Sequence, residues 1–140
     1  MDLERVVDQY HFAADEFSRG DPEAVKALYS RRDDVTLANP FGPPVRGWDK
    51  VSAALDFASS RFRDGEVRDF DTIASYEGAD LASLLEIEAW HARVGDRQEI
   101  TPFVLRVSTT LRREDGSWKI VHRHADPIAT TDPEGPLRAA

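Results

Sequence analysis

Near Asp64-Gly65 the apolar residues of this chain change period, from about 3.6 to about 2, and do not change back. Residues 66–76, 80–94, 99–113 and 117–126 alternate apolar with polar residues. Only the short pairs Glu77-Gly78, Gly95-Asp96 and Asp115-Gly116 mark the turns between them. Turns that short join antiparallel neighbours, because a parallel pair needs a crossover of about a dozen residues. The second half is therefore predicted to be an antiparallel meander.

The first half reads differently. Over residues 2–18, Leu3, Val6, Val7, Tyr10, Ala14 and Phe17 recur at helical spacing, and Gly20 ends the helix. Asp21-Pro22 opens a second helix, with Val25, Leu28 and Tyr29 as its apolar side. Val35–Ala38 is short and β-prone. Asn39 to Gly47 holds three prolines and two glycines, which makes a stiff loop suited to a turn or a pocket rim. A third helix is predicted from Trp48 to Arg63. Val51, Ala54, Leu55, Ala58 and Phe62 share its apolar face, and Asp64-Gly65 closes it. Three helices followed by a meander give an α+β domain, with a curved sheet wrapped around the first helix and a conical cavity at one end. One domain is expected over 1–127. Residues 128–140 are expected to form a frayed tail.

The charge balance narrows the partners. A net charge of −8 and a pI near 4.9 argue against nucleic acid, whose phosphates need a basic face. The absence of cysteine removes disulfides, thiolate nucleophiles and cysteine-zinc sites. No run approaches the ~18 apolar residues of a membrane span. The charged start MDLERVVDQYHF does not read as a signal peptide, so the chain is expected to be cytoplasmic and off the membrane.

Four stretches resemble the nuclear transport factor 2-like superfamily, in its SnoaL-like and ketosteroid isomerase-like branch. They are the helix-Gly20-Asp21-Pro22-helix entry, Val35 to Gly42 followed by Arg46-Gly47, the strand Leu105 to Arg113, and the ending Asp115 to His124. The ending is also similar to the association domain of calcium/calmodulin-dependent kinase. The resemblance spans about residues 3–127 and implies a cone-shaped α+β barrel, with three helices packed on a curved, mostly antiparallel sheet. It also implies a homodimer through the outer sheet face. It does not imply one activity, since many functions share a fold. The isomerase base, an aspartate, corresponds to Asn39, and an amide has no useful basicity near neutral pH. The oxyanion-hole tyrosine corresponds to Ala13, with Tyr10 about one turn away. The oxyanion-hole aspartate corresponds to Thr109. The family's isomerisation chemistry is therefore not expected here.

Carrying the isomerase register onto the last strand turns Val121, Arg123 and Ala125 into the cone. Trp118, Ile120, His122 and His124 then lie on the outer face, unless a bulge exchanges the faces. Arg123 inside the cone needs a partner or an anionic ligand, and Glu88 on the third strand is the candidate partner. Glu86, Glu88 and Trp90 share one face of that strand, and Trp90 can stack a flat ligand or pack in the core. Phe41 and Trp48 are candidates for the cavity mouth. His122 and His124 can ligate zinc or iron only if a carboxylate, or His11 or His91, converges on them. No fuller metal motif accompanies them, so neither metal nor cofactor is expected. Arg112-Arg113-Glu114-Asp115 and Arg31-Arg32-Asp33-Asp34 read as solvated turns. The leading expectation is a small-molecule domain whose ligand carries a carboxylate or carbonyl near Arg123, Asn39 and Thr109, with proton transfer or hydration as possible chemistry. The alternative is a non-catalytic dimerisation module with a vestigial pocket.

Overall fold

A computed structural model describes residues 2–128. Helices α1 (Leu3–Ser18), α2 (Glu23–Lys26) and α3 (Trp48–Ser60) precede or interrupt the strands β1 (Thr36–Ala38), β2 (Val45–Arg46), β3 (Phe62–Glu77), β4 (Leu81–Val94), β5 (Thr101–Glu114) and β6 (Ser117–Pro127). One curved sheet has the order β2-β1-β6-β5-β4-β3. All neighbours are antiparallel except β1 and β6, which run parallel. The predicted α+β class and the meander both hold. Of the expected tail, all but Ile128 lies outside the described residues.

Helix α1 begins where the Asp2 carboxylate accepts the Arg5 N–H, 2.9 Å away. It buries Leu3, Val6, Tyr10, Ala13, Ala14 and Phe17 against the sheet. Its Asp15 side chain accepts the Val67 N–H at 2.8 Å, beside an irregularity in β3. The helix and the strand are thus tied where the strand's own ladder is interrupted.

Three boundaries differ from the sequence reading, and one strand was missed. Helix α2 ends at Lys26, so Leu28 and Tyr29 lie beyond it and do not form its apolar side. Helix α3 stops at Ser60, so Phe62 starts β3 and does not extend the helix. Asp64 and Gly65 form a bulge inside β3 rather than a helix end. A side-chain carbon on Gly65 would sit 2.7 Å from the Ser18 carbonyl oxygen and 2.8 Å from the Ala92 Cβ. The glycine is there because the end of α1 presses on the bulge. The stiff loop after β1 contains β2, whose pairing with β1 was not anticipated.

The last hairpin is closed by Asp115 and Gly116, both at positive φ (50° and 82°), which matches the twist of the flanking strands. Its tip is not a simple solvated turn. The Arg112 guanidinium bonds both Asp34 oxygens, at 2.6 and 2.9 Å, and Glu114 at 2.7 Å. Ser30 also donates to Glu114, at 2.8 Å. Hydrogen bonding to Arg112 holds the Asp34 carboxyl below its ordinary range. The two polar runs therefore meet and clasp the hairpin to the corner after α2.

The faces of β6 also needed correction. Thr110 pairs with His122 but Leu111 pairs with Ile120, so Val121 is an extra residue. Alternation restarts there. Trp118 and Ile120 are 2% and 1% exposed in the core instead of sharing an outer face with the histidines. Arg123 and Ala125, beyond the bulge, are also buried.

Candidate functional site

The inner face of β4 presents Leu84, Glu86, Glu88, Trp90 and Ala92, all buried. Glu88 sits opposite Leu105 of β5, and Arg123 of β6 sits opposite Thr109. The guanidinium crosses β5 and meets the carboxylate through two bonds, Nη2 to Oε1 at 3.0 Å and Nη1 to Oε2 at 3.1 Å. Two more donors complete the group. Tyr10 of α1 donates to Glu88 Oε2 at 2.8 Å, and the Trp90 indole N–H donates to Oε1 at 3.0 Å. Arg123 also donates to the Tyr10 oxygen.

Burial pushes the Glu88 carboxyl up. The Arg123 charge and the bonds from Arg123, Tyr10 and Trp90 outweigh burial and leave it below the ordinary carboxylate range. Burial pushes Tyr10 well above its usual range, against the opposing Arg123 charge. Burial also opposes the Arg123 charge, but the neighbouring Glu88 more than restores it. The group is thus carboxylate, guanidinium and neutral phenol at any ordinary pH. Its proton positions are fixed, and a general base needs the opposite property, a pKa near the working pH.

Beside this group opens a cavity of about 730 Å³. Phe17, Leu37, Leu55, Ala58, Phe62, Trp90, Phe103, Leu105 and Ala125 form its apolar walls. The Phe62 and Phe103 rings stack at 5.7 Å, and Trp90 lies 5.5 Å from Phe62. Arg123 borders both this cavity and a void of about 30 Å³ behind it, lined also by Tyr10 and Tyr29. Burial pushes the Tyr29 phenol up to about 12. Asn39, Pro40, Phe41, Arg61, Asp96, Arg97 and Thr101 add to the lining.

The sequence candidates divide cleanly. Asn39, Trp90, Arg123 and Ala125 line the cavity. Glu88 is fully buried and does not line it, but bonds Arg123 and Trp90, which do. Thr109 and Val121 are buried but do not line it. Asn39 uses its side-chain oxygen to accept the Phe41 N–H at 3.0 Å, so it shapes the loop. Tyr10 anchors Glu88 instead of facing the main cavity. Of the two aromatic residues suggested for the mouth, Phe41 is there, whereas Trp48 packs under the Arg31 guanidinium at 3.9 Å.

His122 and His124 stay outside the cavity, with ring centres 6.5 Å apart. His122 pairs with Thr36 at 2.8 Å and His124 with Asp126 at 2.7 Å. Burial and the neighbouring His124 hold His122 below the usual histidine range. His11 bonds Glu86 at 2.9 Å and His91 lies 3.1 Å from Glu66, so neither converges on the pair. Among the described residues no three histidine or carboxylate groups gather as a metal site. None of their helices is long and apolar enough to cross a membrane.

Sequence reasoning missed Phe62, Phe103, Arg61 and Arg97 as cavity residues. They come from three separate places in the chain, 61–62, 97 and 103, and no local pattern marks these as neighbours.

A family model for the SnoaL-like domain matches residues 3–130. The chain belongs to this SnoaL-like family. Comparison with curated proteins gives no match. Among solved structures, the SnoaL-like chain is similar to a ketosteroid isomerase-like protein from Erwinia carotovora atroseptica, at 22% identity and a TM-score of 0.75, covering 91% of this chain and 95% of that one. It is similar to a nuclear transport factor 2-like superfamily protein from Salmonella enterica serovar Typhimurium, at 18% identity and a TM-score of 0.75, covering 94% and 92%. A proposed dehydratase of the same superfamily from Streptomyces avermitilis matches at 16% identity and a TM-score of 0.73, covering 91% and 95%. At these identities the likeness establishes the shared fold.

Proposed function

We propose that this SnoaL-like domain binds a small, flat, largely apolar molecule in the cavity between α3 and the sheet. The observation that carries the reading is the cavity itself: about 730 Å³ of space with stacked aromatic walls and a buried guanidinium on its inner side. That volume falls within the usual range of ligand pockets, roughly 300–1,000 Å³, and so does the mix of apolar walls with few polar groups. Arg123 spends three N–H donors on Glu88 and Tyr10. An arginine carries five, so donors remain for a carbonyl or hydroxyl oxygen.

Binding is favoured over catalysis by what lines the wall. Among the described lining residues there is no histidine, and the one carboxylate is Asp96, at the rim. The dehydratase and isomerase names among the structural relatives do not change that inventory. A thermal-shift and calorimetry screen with cyclic ketones and bicyclic aromatic acids tests the reading. Ala58→Phe, which grows into the cavity, is expected to weaken any hit by about tenfold or more, equivalent to roughly 1.4 kcal/mol. Retained affinity in a folded Ala58→Phe variant would move the ligand elsewhere.

The expected homodimer is proposed on separate grounds. The outer sheet face carries half-buried Leu85, Ile87, Ala89 and His91 of β4 next to exposed Val104 of β5. Apolar surface of this kind, rimmed by Arg106 and Ser108 of β5 and by Asp69 and Asp71 of β3, is a frequent interface. Sedimentation should give a dimer that Ile87→Arg converts to monomer. A wild-type monomer at high micromolar concentration would remove the proposal.

A further inference from the structure

The cavity has guanidiniums at both ends, but they differ in what they can still bind. Arg123, on the inner side, is neutralised by a bidentate Glu88. Arg61 and Arg97, at the rim, have no carboxylate partner among the described residues, and both are exposed. Arg61 follows directly after α3, and its guanidinium lies across Gly95. A side-chain carbon there would come within 2.5 Å of Nη2. Gly95, at φ 59°, therefore leaves room for Arg61 to reach the strand end from which Arg97 rises two residues later. Opposing them at the rim is one acid, Asp96. The rim is thus locally cationic on a protein of net charge −8.

From this we infer that the ligand is an amphipathic aromatic or alicyclic anion, bound with its ring inward and its carboxylate or phosphate outward, between Arg61 and Arg97. The inference rests on the cavity being a ligand site. It reverses the orientation that Arg123 alone suggests. An anion on the inner side would lose its hydration and meet a pair that is already neutral, with the Glu88 carboxylate directly behind. At the rim the same anion keeps part of its water and meets two uncommitted guanidiniums, each able to form a fork of bonds. A neutral carbonyl or hydroxyl is what suits Arg123's spare donors.

Calorimetry with naphthalene-2-carboxylate and its neutral analogue, naphthalene-2-carboxamide, tests the orientation. The wild type is expected to bind the acid about tenfold more tightly than the amide. An Arg61→Gln/Arg97→Gln double variant is expected to lose that preference, through weaker binding of the acid and not through tighter binding of the amide. Both residues are exposed, so the variant should fold, which circular dichroism checks. A preference for the acid that survives in the double variant would place the anion elsewhere and overturn the orientation. Equal binding of acid and amide by the wild type would also overturn it, leaving the cavity reading intact. Binding of neither probe would overturn both.

Discussion

Glu88→Leu is expected to cost roughly 3–5 kcal/mol of stability, the range seen when one partner of a buried ion pair is removed. The charge left behind decides the size. Arg123 is 9% exposed, and its bonding partners are Glu88 and Tyr10. Without Glu88 its charge stays in the core, because no ordinary pH discharges a guanidinium. Tyr10 and the Trp90 indole lose their acceptor at the same time. A Glu88→Leu/Arg123→Met double variant should recover part of the loss, since apolar replacement of a whole buried pair is often neutral. It should not recover all of it, because a buried N–H and O–H remain unpaired at about 1–3 kcal/mol each. Urea unfolding at neutral pH measures both variants. A single-variant loss below about 1 kcal/mol would mean that Arg123 finds water, and that the ion pair is not the anchor described here.

The same pair has a pH signature. The folded Glu88 pKa lies below the ordinary carboxylate value, chiefly because the Arg123 charge overcomes burial. Its contribution is therefore fully present above the unfolded glutamate pKa, about 4.3, and is lost as pH falls through the lower folded value. Wild-type stability should decline on the acid side, and the Glu88→Leu/Arg123→Met variant should decline less steeply there.

How much of this was legible beforehand depends on the range over which each feature is determined. Strand alternation is local, so four strands could be placed within a few residues from the chain alone. The Glu88–Arg123 pairing was also within reach. A meander fixes which strands are neighbours, and a buried arginine needs an acid within reach. Tyr10 was foreseen on the apolar face of α1 and as a shifted isomerase residue. Its true role, an anchor for Glu88, depends on how deeply α1 lies on the sheet, which its own periodicity does not set. Phe62 was assigned to the wrong element because its spacing fits the face of α3, yet the chain had already left the helix. Arg61 and Arg97 carry no local sign of the cavity they border, since only the closure of α3 over the end of β4 brings them together.

The bulge in β6 makes a prediction about a residue that belongs to neither the cavity lining nor the ion pair. Deleting Val121 is expected to preserve cooperative folding, at a cost of roughly 0.5–3 kcal/mol, the range of an ordinary substitution. Leu111 pairs with Ile120 and Thr110 with His122, so Val121 has no partner on β5. Without it, Trp118 and Ile120 still alternate inward with Arg123 and Ala125, while His122 and His124 still face outward. What is lost is the buried Val121 side chain and the local twist of the bulge. A strand that kept Val121 and paired it regularly would instead turn one half outward. If Trp118 and Ile120 turned, the core would lose a tryptophan and an isoleucine, whose truncations alone cost roughly 3–5 and 2–5 kcal/mol. If Arg123 turned instead, Glu88 would be left as an unpaired buried charge, at roughly 3–5 kcal/mol. Either outcome would consume much of the roughly 5–15 kcal/mol that holds a domain together, so with Val121 in the chain the bulge is what lets one strand serve both the core and the cavity. Near-ultraviolet circular dichroism follows the buried Trp118, and urea titration follows cooperativity. A deletion variant that lost its near-ultraviolet spectrum and its cooperative transition would mean that the bulge itself, and not the alternation on either side of it, keeps both halves facing inward.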